Sequence, residues 1–263
     1  HGQTDIASYY GKIADVYPFA SGTSFHEHIL PKASLDLGFS ATASHYISKV
    51  PCNITGHVHM VGAKGAERAA YEEVGRVAWA KMLALRAREL KKGGRLVLLN
   101  FGIDEQGRYL GHTGGPSMFD LFSDLWHGLA EDGIITPEEA LNTNFPQVYR
   151  TVEQFTAPLK DTASDAWKAG LRLEHVETRH LVCPYTRAYL EHKDARRFAK
   201  EYIPTLRSWS EPTFAAGLSP SRPPEQRQQI LDEFYGRYER LVADKPDGHG
   251  MDYIHVHMIC VKE

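Results

Sequence analysis

A long helical pattern that runs into a continuous apolar segment constrains the fold of this chain most. Between residues 66 and 90, apolar side chains recur at helical spacing, as Val74, Val77, Ala78, Met82, Leu85 and Leu90. Gly93 and Gly94 follow, and we expect them to end the helix in a left-handed cap. Residues 95–101 (RLVLLNF) then read as a buried strand. A helix, a glycine turn and a buried strand in this order indicate an α/β sheet.

The rest of the chain supplies further strands and helices. Alternating apolar and polar residues predict three strands, over residues 34–40, 171–182 and 253–261. The first strand places Leu35, Leu37 and Phe39 on one face, and the last does the same with Ile254, Val256, Met258 and Cys260. Helical patterns cover residues 116–159 (in pieces broken at Gly133 and Pro146), 185–216 and 224–243. We therefore predict a three-layer α/β sheet with a mostly helical cap.

Charge and composition argue against several classes of partner. The chain has 30 Lys and Arg residues and 33 Asp and Glu residues, which gives a net charge of −3. It has no block of basic residues that would favour nucleic-acid binding. The longest apolar stretch, residues 96–99, is too short to span a membrane. Cys52, Cys183 and Cys260 lack the spacing of a zinc site or a disulfide framework. No signal peptide opens the chain, so we expect a cytoplasmic protein.

Three His-x-His pairs are candidate metal ligands. They are His26/His28, His57/His59 and His255/His257. In a strand, both side chains of such a pair point the same way, as in many zinc and iron sites. However, no H-E-x-x-H motif occurs, and no Asp follows His59 as metallohydrolase motifs require. We expect no bound metal, and a metal-dependent hydrolase or oxygenase that uses these pairs stays an alternative.

A serine nucleophile at Ser117 is a weaker candidate. Gly115 and Ser117 begin a G-x-S-x-G elbow, but Phe119 stands where the second glycine belongs. The sequence therefore does not favour a serine hydrolase.

A colinear set of short motifs is the most specific pattern in the chain. In order, they are residues 21–31 (SGTSFHEHILP), 40–51 (SATASHYISKVP), 85–98 (LRARELKKGGRLVL), 131–134 (EDGI), 144–149 (NFPQVY), 206–212 (LRSWSEP) and 234–240 (FYGRYER). Together with the closing strand, this series resembles the salicylic acid, benzoic acid and theobromine methyltransferases, known as the SABATH family. Each motif is weak alone, and their shared order gives the resemblance its specificity.

The resemblance implies a fold and an activity. The fold would be a Rossmann-like class I methyltransferase sheet with a helical cap, in a protein that forms a homodimer. The activity would be transfer of a methyl group from S-adenosylmethionine to the carboxylate of a small organic acid, with an aromatic acid favoured. Because a carboxylate with a pKa near 4 is already ionised at neutral pH, we expect no general base.

The same resemblance implies site residues. Ser24 and Phe25 match the family's cofactor-binding pair. Thr42, His45 and Tyr46 match its acceptor-binding segment, with Thr42 replacing a Tyr and Tyr46 replacing a Trp. Both Tyr46 and His45 can still donate a hydrogen bond. The other walls of the acceptor pocket fall on Met118, Phe119, Leu206, Trp209 and Tyr253.

One part of the family's pattern has no counterpart in the sequence. Its glycine-rich cofactor loop and ribose-binding acid lie upstream of the matched region, and residues 1–7 (HGQTDIA) look like the segment that follows them. We therefore expect residues 1–110 to hold the second part of the sheet. Residues 111–170 and 186–245 would form the cap and covering helices, and residues 171–185 and 251–263 would close the sheet. We also expect these residues alone to bind S-adenosylmethionine weakly or not at all, and a non-catalytic relative that binds small acids stays a third alternative.

Overall fold

A mixed β-sheet forms the centre of the computed structural model, which describes residues 12–263. Its strands are β1 (Leu35–Ala41), β2 (Leu90–Ile103), β3 (Arg150–Thr151), β4 (Leu171–Leu181) and β5 (Tyr253–Lys262). They lie in the order β1-β2-β5-β4, and the short β3 pairs with the end of β2. β1 and β3 run parallel to β2, whereas β5 is antiparallel to both β2 and β4. The predicted α/β class is confirmed, and residues 1–7 lie outside the described part of the chain.

Eight helices connect and cover the strands within the described residues. They are α1 (Gly65–Glu89), α2 (Met118–Glu131), α3 (Pro137–Asn142), α4 (Val152–Lys160), α5 (Asp165–Lys168), α6 (Pro184–His192), α7 (Ala195–Gly217) and α8 (Pro224–Asp244). The helical stretch predicted at 185–216 is two helices, because Lys193 adopts a left-handed conformation with φ 55° between them. None of the helices within residues 12–263 combines the length and the apolar character needed to cross a membrane.

Gly93 and Gly94 do not end the helix, so that prediction is wrong. α1 ends at Glu89 and β2 begins at Leu90, which places both glycines inside β2. Gly93 has φ +81°, and a Cβ on Gly94 would lie 3.1 Å from the carbonyl oxygens of Leu35 and Asp36. Gly93 is therefore required by its left-handed backbone, and Gly94 by the close approach of β1 to β2, where the strand register shifts.

One face of the sheet packs on α1, α4 and α5. Trp79 and Leu83 of α1 and Phe155 of α4 meet alternate residues of β2, such as Leu96. The predicted inward face of β5 is confirmed, since Ile254, Val256, Met258 and Cys260 are all fully buried. A second core of mainly aromatic residues joins α2, α7 and α8, and its largest members include Phe122, Trp126, Phe214 and Phe234.

The prediction that Leu35, Leu37 and Phe39 share one face of β1 is wrong in part, because the strand register shifts after Leu35, which packs on the same core as Leu96. Leu37 and Phe39 are 59% and 65% exposed. Phe39 pairs with Val97, and therefore lies on the sheet face opposite to Leu96 and to the helices that cover it. The alternating pattern identified the strand but could not show which of its faces would be covered.

Candidate functional site

The parallel strands β1, β2 and β3 bring their carboxyl ends to one edge of the sheet, where α/β proteins bind ligands. The loop that follows β1 begins at Thr42, which has φ +50° and donates its N–H to the carbonyl of Leu99 over 2.8 Å. His45 then accepts a backbone hydrogen bond of 2.7 Å from Val148, and Tyr46 forms an isolated bridge with Gln147. The loop is therefore fixed against both β2 and the segment before β3.

Aromatic side chains from several separate parts of the chain converge at this edge. We call them the aromatic cluster: His45, Tyr46, His59, Phe101, Tyr109, Phe119, Tyr149, Trp209, Tyr253 and His255. The ring of His45 lies 4.3 Å from that of Tyr46 and 5.1 Å from that of Phe101. Tyr149 contacts both His45 and His59, with ring centroids 5.9 Å and 4.8 Å apart.

Five of the sequence-predicted acceptor residues belong to this cluster. They are His45, Tyr46, Phe119, Trp209 and Tyr253. Met118 and Leu206 are buried in the adjoining core and make none of these ring contacts. Thr42 lies at the start of the loop that carries His45.

Ser24 and Phe25, the predicted cofactor pair, lie on a loop that packs against the α1 side of the molecule. The guanidinium of Arg86 donates to the carbonyl of Phe25 over 2.8 Å and to that of Glu27 over 2.7 Å. Ser24 is exposed, and its hydroxyl accepts from the backbone N–H of His26, which leaves its own O–H free to donate. An exposed hydroxyl beside a half-buried ring is compatible with the edge and face of an adenine.

The aromatic cluster is electrically neutral at pH 7. Burial lowers the pKa of His45 to about 3, with Arg150 adding to the effect, and burial lowers the pKa of His255 to about 4. The pKa of His59 lies well below its ordinary value, and that of Tyr149 well above, in both cases chiefly through burial. These side chains therefore act here as neutral hydrogen-bonding groups.

A buried positive charge lies next to this neutral cluster. The guanidinium of Arg150 donates to the carbonyls of Ser44 over 3.0 Å and Gly75 over 2.7 Å, and it pairs with no carboxylate among residues 12–263. Burial lowers the pKa of Arg150 to about 10, so it stays charged at neutral pH. Sequence reasoning missed this residue, because its neighbours Ser44 and Gly75 are remote in the sequence.

Four polar atoms of the cluster are buried without a hydrogen-bond partner in the described chain. They are His45 Nδ1, His59 Nε2, Trp209 Nε1 and His255 Nε2. Seven further unpaired atoms lie elsewhere among residues 12–263. Because buried polar atoms are nearly always paired in folded proteins, the four that share this cluster make it a candidate for recognising a ligand.

The other candidate motifs lead to different positions. His57 bonds Asp120 over 3.1 Å, while His26 and His28 lie on the loop beside α1. Within residues 12–263, no three His, Cys, Asp or Glu side chains lie close enough together to hold a metal ion. Ser117 is the N-cap of α2, where its hydroxyl accepts from the N–H of Asp120.

Comparison with known proteins gives one consistent family. A model of the family described as SAM dependent carboxyl methyltransferase matches residues 4–263. Indole-3-acetate O-methyltransferase 1 of Arabidopsis thaliana is 28% identical over 147 residues, which are 50% of this chain and 36% of that protein. Gibberellic acid methyltransferase 1 of the same plant is 24% identical over 263 residues, 92% of this chain and 65% of that protein.

A solved structure shows the same fold. It is a loganic acid methyltransferase with SAH, with a TM-score of 0.65 and 18% sequence identity, covering 92% of this chain and 66% of that one. The chain thus spans between about a third and two thirds of the length of these relatives.

Proposed function

Since the chain belongs to the family of SAM-dependent carboxyl methyltransferases, we propose that the protein containing it methylates the carboxylate of a small organic acid. The aromatic cluster carries this proposal. It offers neutral hydrogen-bond donors beside a fixed positive charge, which suits an anionic, largely apolar acceptor. The relatives named above act, by their names, on indole-3-acetate, gibberellic acid and loganic acid. Those names favour an acid with a ring.

The chemistry needs no proton transfer from the protein. S-adenosylmethionine, when bound, supplies a methyl group on a positively charged sulfur, and an ionised carboxylate can accept that methyl without a base. This agrees with a cluster whose histidines are held neutral by burial. The work left to the chain is positioning, which is worth about 7 kcal/mol or more when reacting atoms are held in line.

His45 and Tyr46 are the groups that we assign to the acceptor carboxylate. Among residues 12–263, the hydroxyl of Tyr46 and Nδ1 of His45 have no hydrogen-bond partner, and the two rings are adjacent. Arg150 lies close enough to His45 to lower the pKa of its imidazole, and its positive charge would stabilise a carboxylate bound there. The cluster's rings would exclude water from the anion and so raise its reactivity.

The remaining predicted residues take supporting roles in this proposal. Phe119 and Trp209 form the wall supplied by the helices, and Tyr253 forms the wall supplied by β5. Met118 and Leu206 hold that wall from behind, within the core. Thr42, where the family's pattern has a tyrosine, leaves room for an acid bulkier than salicylate. Ser24 and Phe25 would contact the adenosine of the cofactor.

We extend the proposal to a cytoplasmic homodimer, as the family resemblance implies. Light scattering coupled to gel filtration of the full-length protein tests the dimer. A monomeric mass across the working concentration range would contradict it.

Activity of the full-length protein tests the proposed function directly. Incubation with S-adenosylmethionine and benzoic, cinnamic, indole-acetic and medium-chain fatty acids should give methyl esters that mass spectrometry detects. The corresponding amides should not react, because they lack the anionic oxygen. A protein that binds S-adenosylhomocysteine but esterifies none of the acids would show that the acceptor is not a carboxylate. A protein that binds acids but no cofactor would support a non-catalytic relative.

A further inference from the structure

His59 is a fully buried side chain at the centre of the aromatic cluster. Its ring stacks on Phe119 with centroids 3.9 Å apart and planes 17° from parallel, and it lies 4.8 Å from the ring of Tyr149. The turn that carries it is closed by a hydrogen bond of 3.1 Å from the N–H of Gly62 to the carbonyl of His59. Both the ring and its backbone are therefore fixed in place.

The hydrogen bonds of His59 settle which ring nitrogen carries its proton. The backbone N–H of Val61 donates to Nδ1 over 3.2 Å, so Nδ1 must present a lone pair. Burial lowers the pKa of this imidazole well below its ordinary value, and His57 adds to that effect. The ring is therefore neutral, and its single proton is on Nε2.

The Nε2–H group is a buried donor with no hydrogen-bond partner among residues 12–263. The amide of Gln147 lies near enough to raise the pKa of this imidazole slightly, but it forms no hydrogen bond of normal geometry with Nε2, and its oxygen accepts from the hydroxyl of Tyr149 over 3.4 Å. Leaving a donor unpaired among aromatic rings is unfavourable unless a ligand supplies the acceptor.

His59 is more deeply buried than Tyr46, one of the two residues assigned to the carboxylate. Tyr46 is 38% exposed, whereas His45 is 3% and His59 0% exposed, so Tyr46 reaches the surface and both histidines are buried. Tyr149 contacts both histidines, and an acid held at His45 and Tyr46 would extend along that ring towards His59.

We propose that His59 is a specificity-determining residue, whose Nε2–H donates to an oxygen or nitrogen at the end of the acceptor remote from its carboxylate. The inference rests on the proposed function and narrows its substrate class. The preferred acids carry a carbonyl, ether or hydroxyl at that end, and acids that end in an alkyl group are disfavoured. A buried donor discriminates in this way because the alkyl acid leaves it unpaired.

Matched acids test the proposal on the wild-type full-length protein. 4-Acetylbenzoic and 4-isopropylbenzoic acids have nearly the same shape, as do 4-methoxycinnamic and 4-ethylcinnamic acids. We expect kcat/KM to favour the oxygen-bearing member of an accepted pair by about tenfold or more. Equal values, a preference for the alkyl member, or activity on other acids with no turnover of either oxygen-bearing acid would overturn it. Failure to methylate any acid would instead refute the proposed function.

Two variants of His59 distinguish the effect of the Nε2–H donor from the effect of packing. In His59→Gln the side-chain amide reaches the position of Nε2, whereas in His59→Asn it reaches only that of Nδ1. Both lose the ring stacked on Phe119, which makes them matched controls for packing. We expect the ratio of kcat/KM for the oxygen-bearing acid to that for the alkyl acid to fall about tenfold in the Asn variant. In the Gln variant, this ratio should stay close to that of the wild-type protein.

Circular dichroism and thermal unfolding establish that both variants are folded. If they change kcat/KM for both acids of a pair by the same factor, His59 is merely structural and the proposal is wrong. If either variant does not fold, the kcat/KM values of the wild-type protein for the matched acids test the proposal on their own.

Discussion

Arg150 joins the loop after β1 to helix α1. Its guanidinium joins the carbonyl of Ser44 in that loop to the carbonyl of Gly75 in α1, and it also lies 5.7 Å from the ring of Trp79. A planar fork with several donors suits this task, whereas a lysine has one compact ammonium group. The residue thus combines a mechanical role with a charge near the acceptor site.

Substitution of Arg150 should separate these two roles. Arg150→Lys keeps the charge and loses part of the fork, while Arg150→Met removes both. We expect each variant to lower the free energy of unfolding by about 2–4 kcal/mol, since buried carbonyls lose their donors. Only Arg150→Met should also raise the KM for the acid, by about tenfold, because it alone removes the positive charge. Urea unfolding and steady-state kinetics measure the two effects, and equal KM values in both variants would rule out the electrostatic role.

Tyr46 allows a cleaner test of the carboxylate assignment. Its hydroxyl makes no hydrogen bond to any residue in the described part of the chain, so Tyr46→Phe should leave stability nearly unchanged. The variant should lower kcat/KM by about 10- to 100-fold, the value of a hydrogen bond to a charged group. Binding of S-adenosylhomocysteine, measured by calorimetry, serves as the control and should not change. An unaltered kcat/KM would remove Tyr46 from the acceptor site.

A buried ion pair connects helix α3 with the segment before helix α8. Arg222 donates to both carboxylate oxygens of Glu139 over 2.5 and 2.7 Å, and the backbone N–H of Ser219 donates to the same carboxylate over 2.8 Å. Glu139 also completes the capping box of α3 with Thr136. These donors, Arg222 first, lower the pKa of Glu139 to about 2.

This pair predicts a pH-dependent stability with a definite sign. Because the pKa of Glu139 is lower in the folded chain than in the unfolded one, its stabilisation is complete above about pH 4.5 and is lost as the pH falls towards 2. Glu139→Gln should therefore lower the free energy of unfolding by about 2–3 kcal/mol at pH 7, and by much less at pH 3. The exposed neighbour offers a matched control, since Glu138→Gln should have little effect at either pH. A constant difference between wild type and Glu139→Gln at both pH values would contradict this account.

Much of the architecture follows from local sequence, and the exceptions have physical causes. The buried face of β5 was predictable because strict alternation leaves one arrangement that removes Ile254 and Met258 from water. Gly93 was misread because a glycine that takes a left-handed conformation inside a strand looks the same in the sequence as one that ends a helix. His59 and Arg150 could not be assigned, because the groups they contact, such as Phe119 and Gly75, are brought to them only by the tertiary fold.

For the molecule as a whole, the neutral buried histidines predict destabilisation in mild acid. His45 and His255 have a pKa of about 3 and about 4 in the folded chain, and that of His59 is also lowered. An unfolded chain takes up protons at these positions from about pH 6.5 downwards, before the folded chain does. The free energy of unfolding should therefore fall between pH 6.5 and 5, by up to about 1.4 kcal/mol per pH unit for each such histidine. Urea midpoints at pH 7, 6 and 5 measure this, and midpoints that do not change would show that the histidines are solvated.

The uncovered face of β1 has a practical consequence for the behaviour of the chain in solution. Leu37 and Phe39 are exposed neighbours on one face of β1, which is an edge strand of the sheet in the described chain. Apolar edge strands promote aggregation. We expect preparations of these 263 residues to show scattering that grows with concentration and with added sulfate, which strengthens apolar association. Phe39→Lys should suppress the scattering, whereas Val77→Lys, at an exposed apolar site on α1, should not. Association between molecules, rather than a low free energy of unfolding, would then limit the concentration at which this chain can be kept in solution.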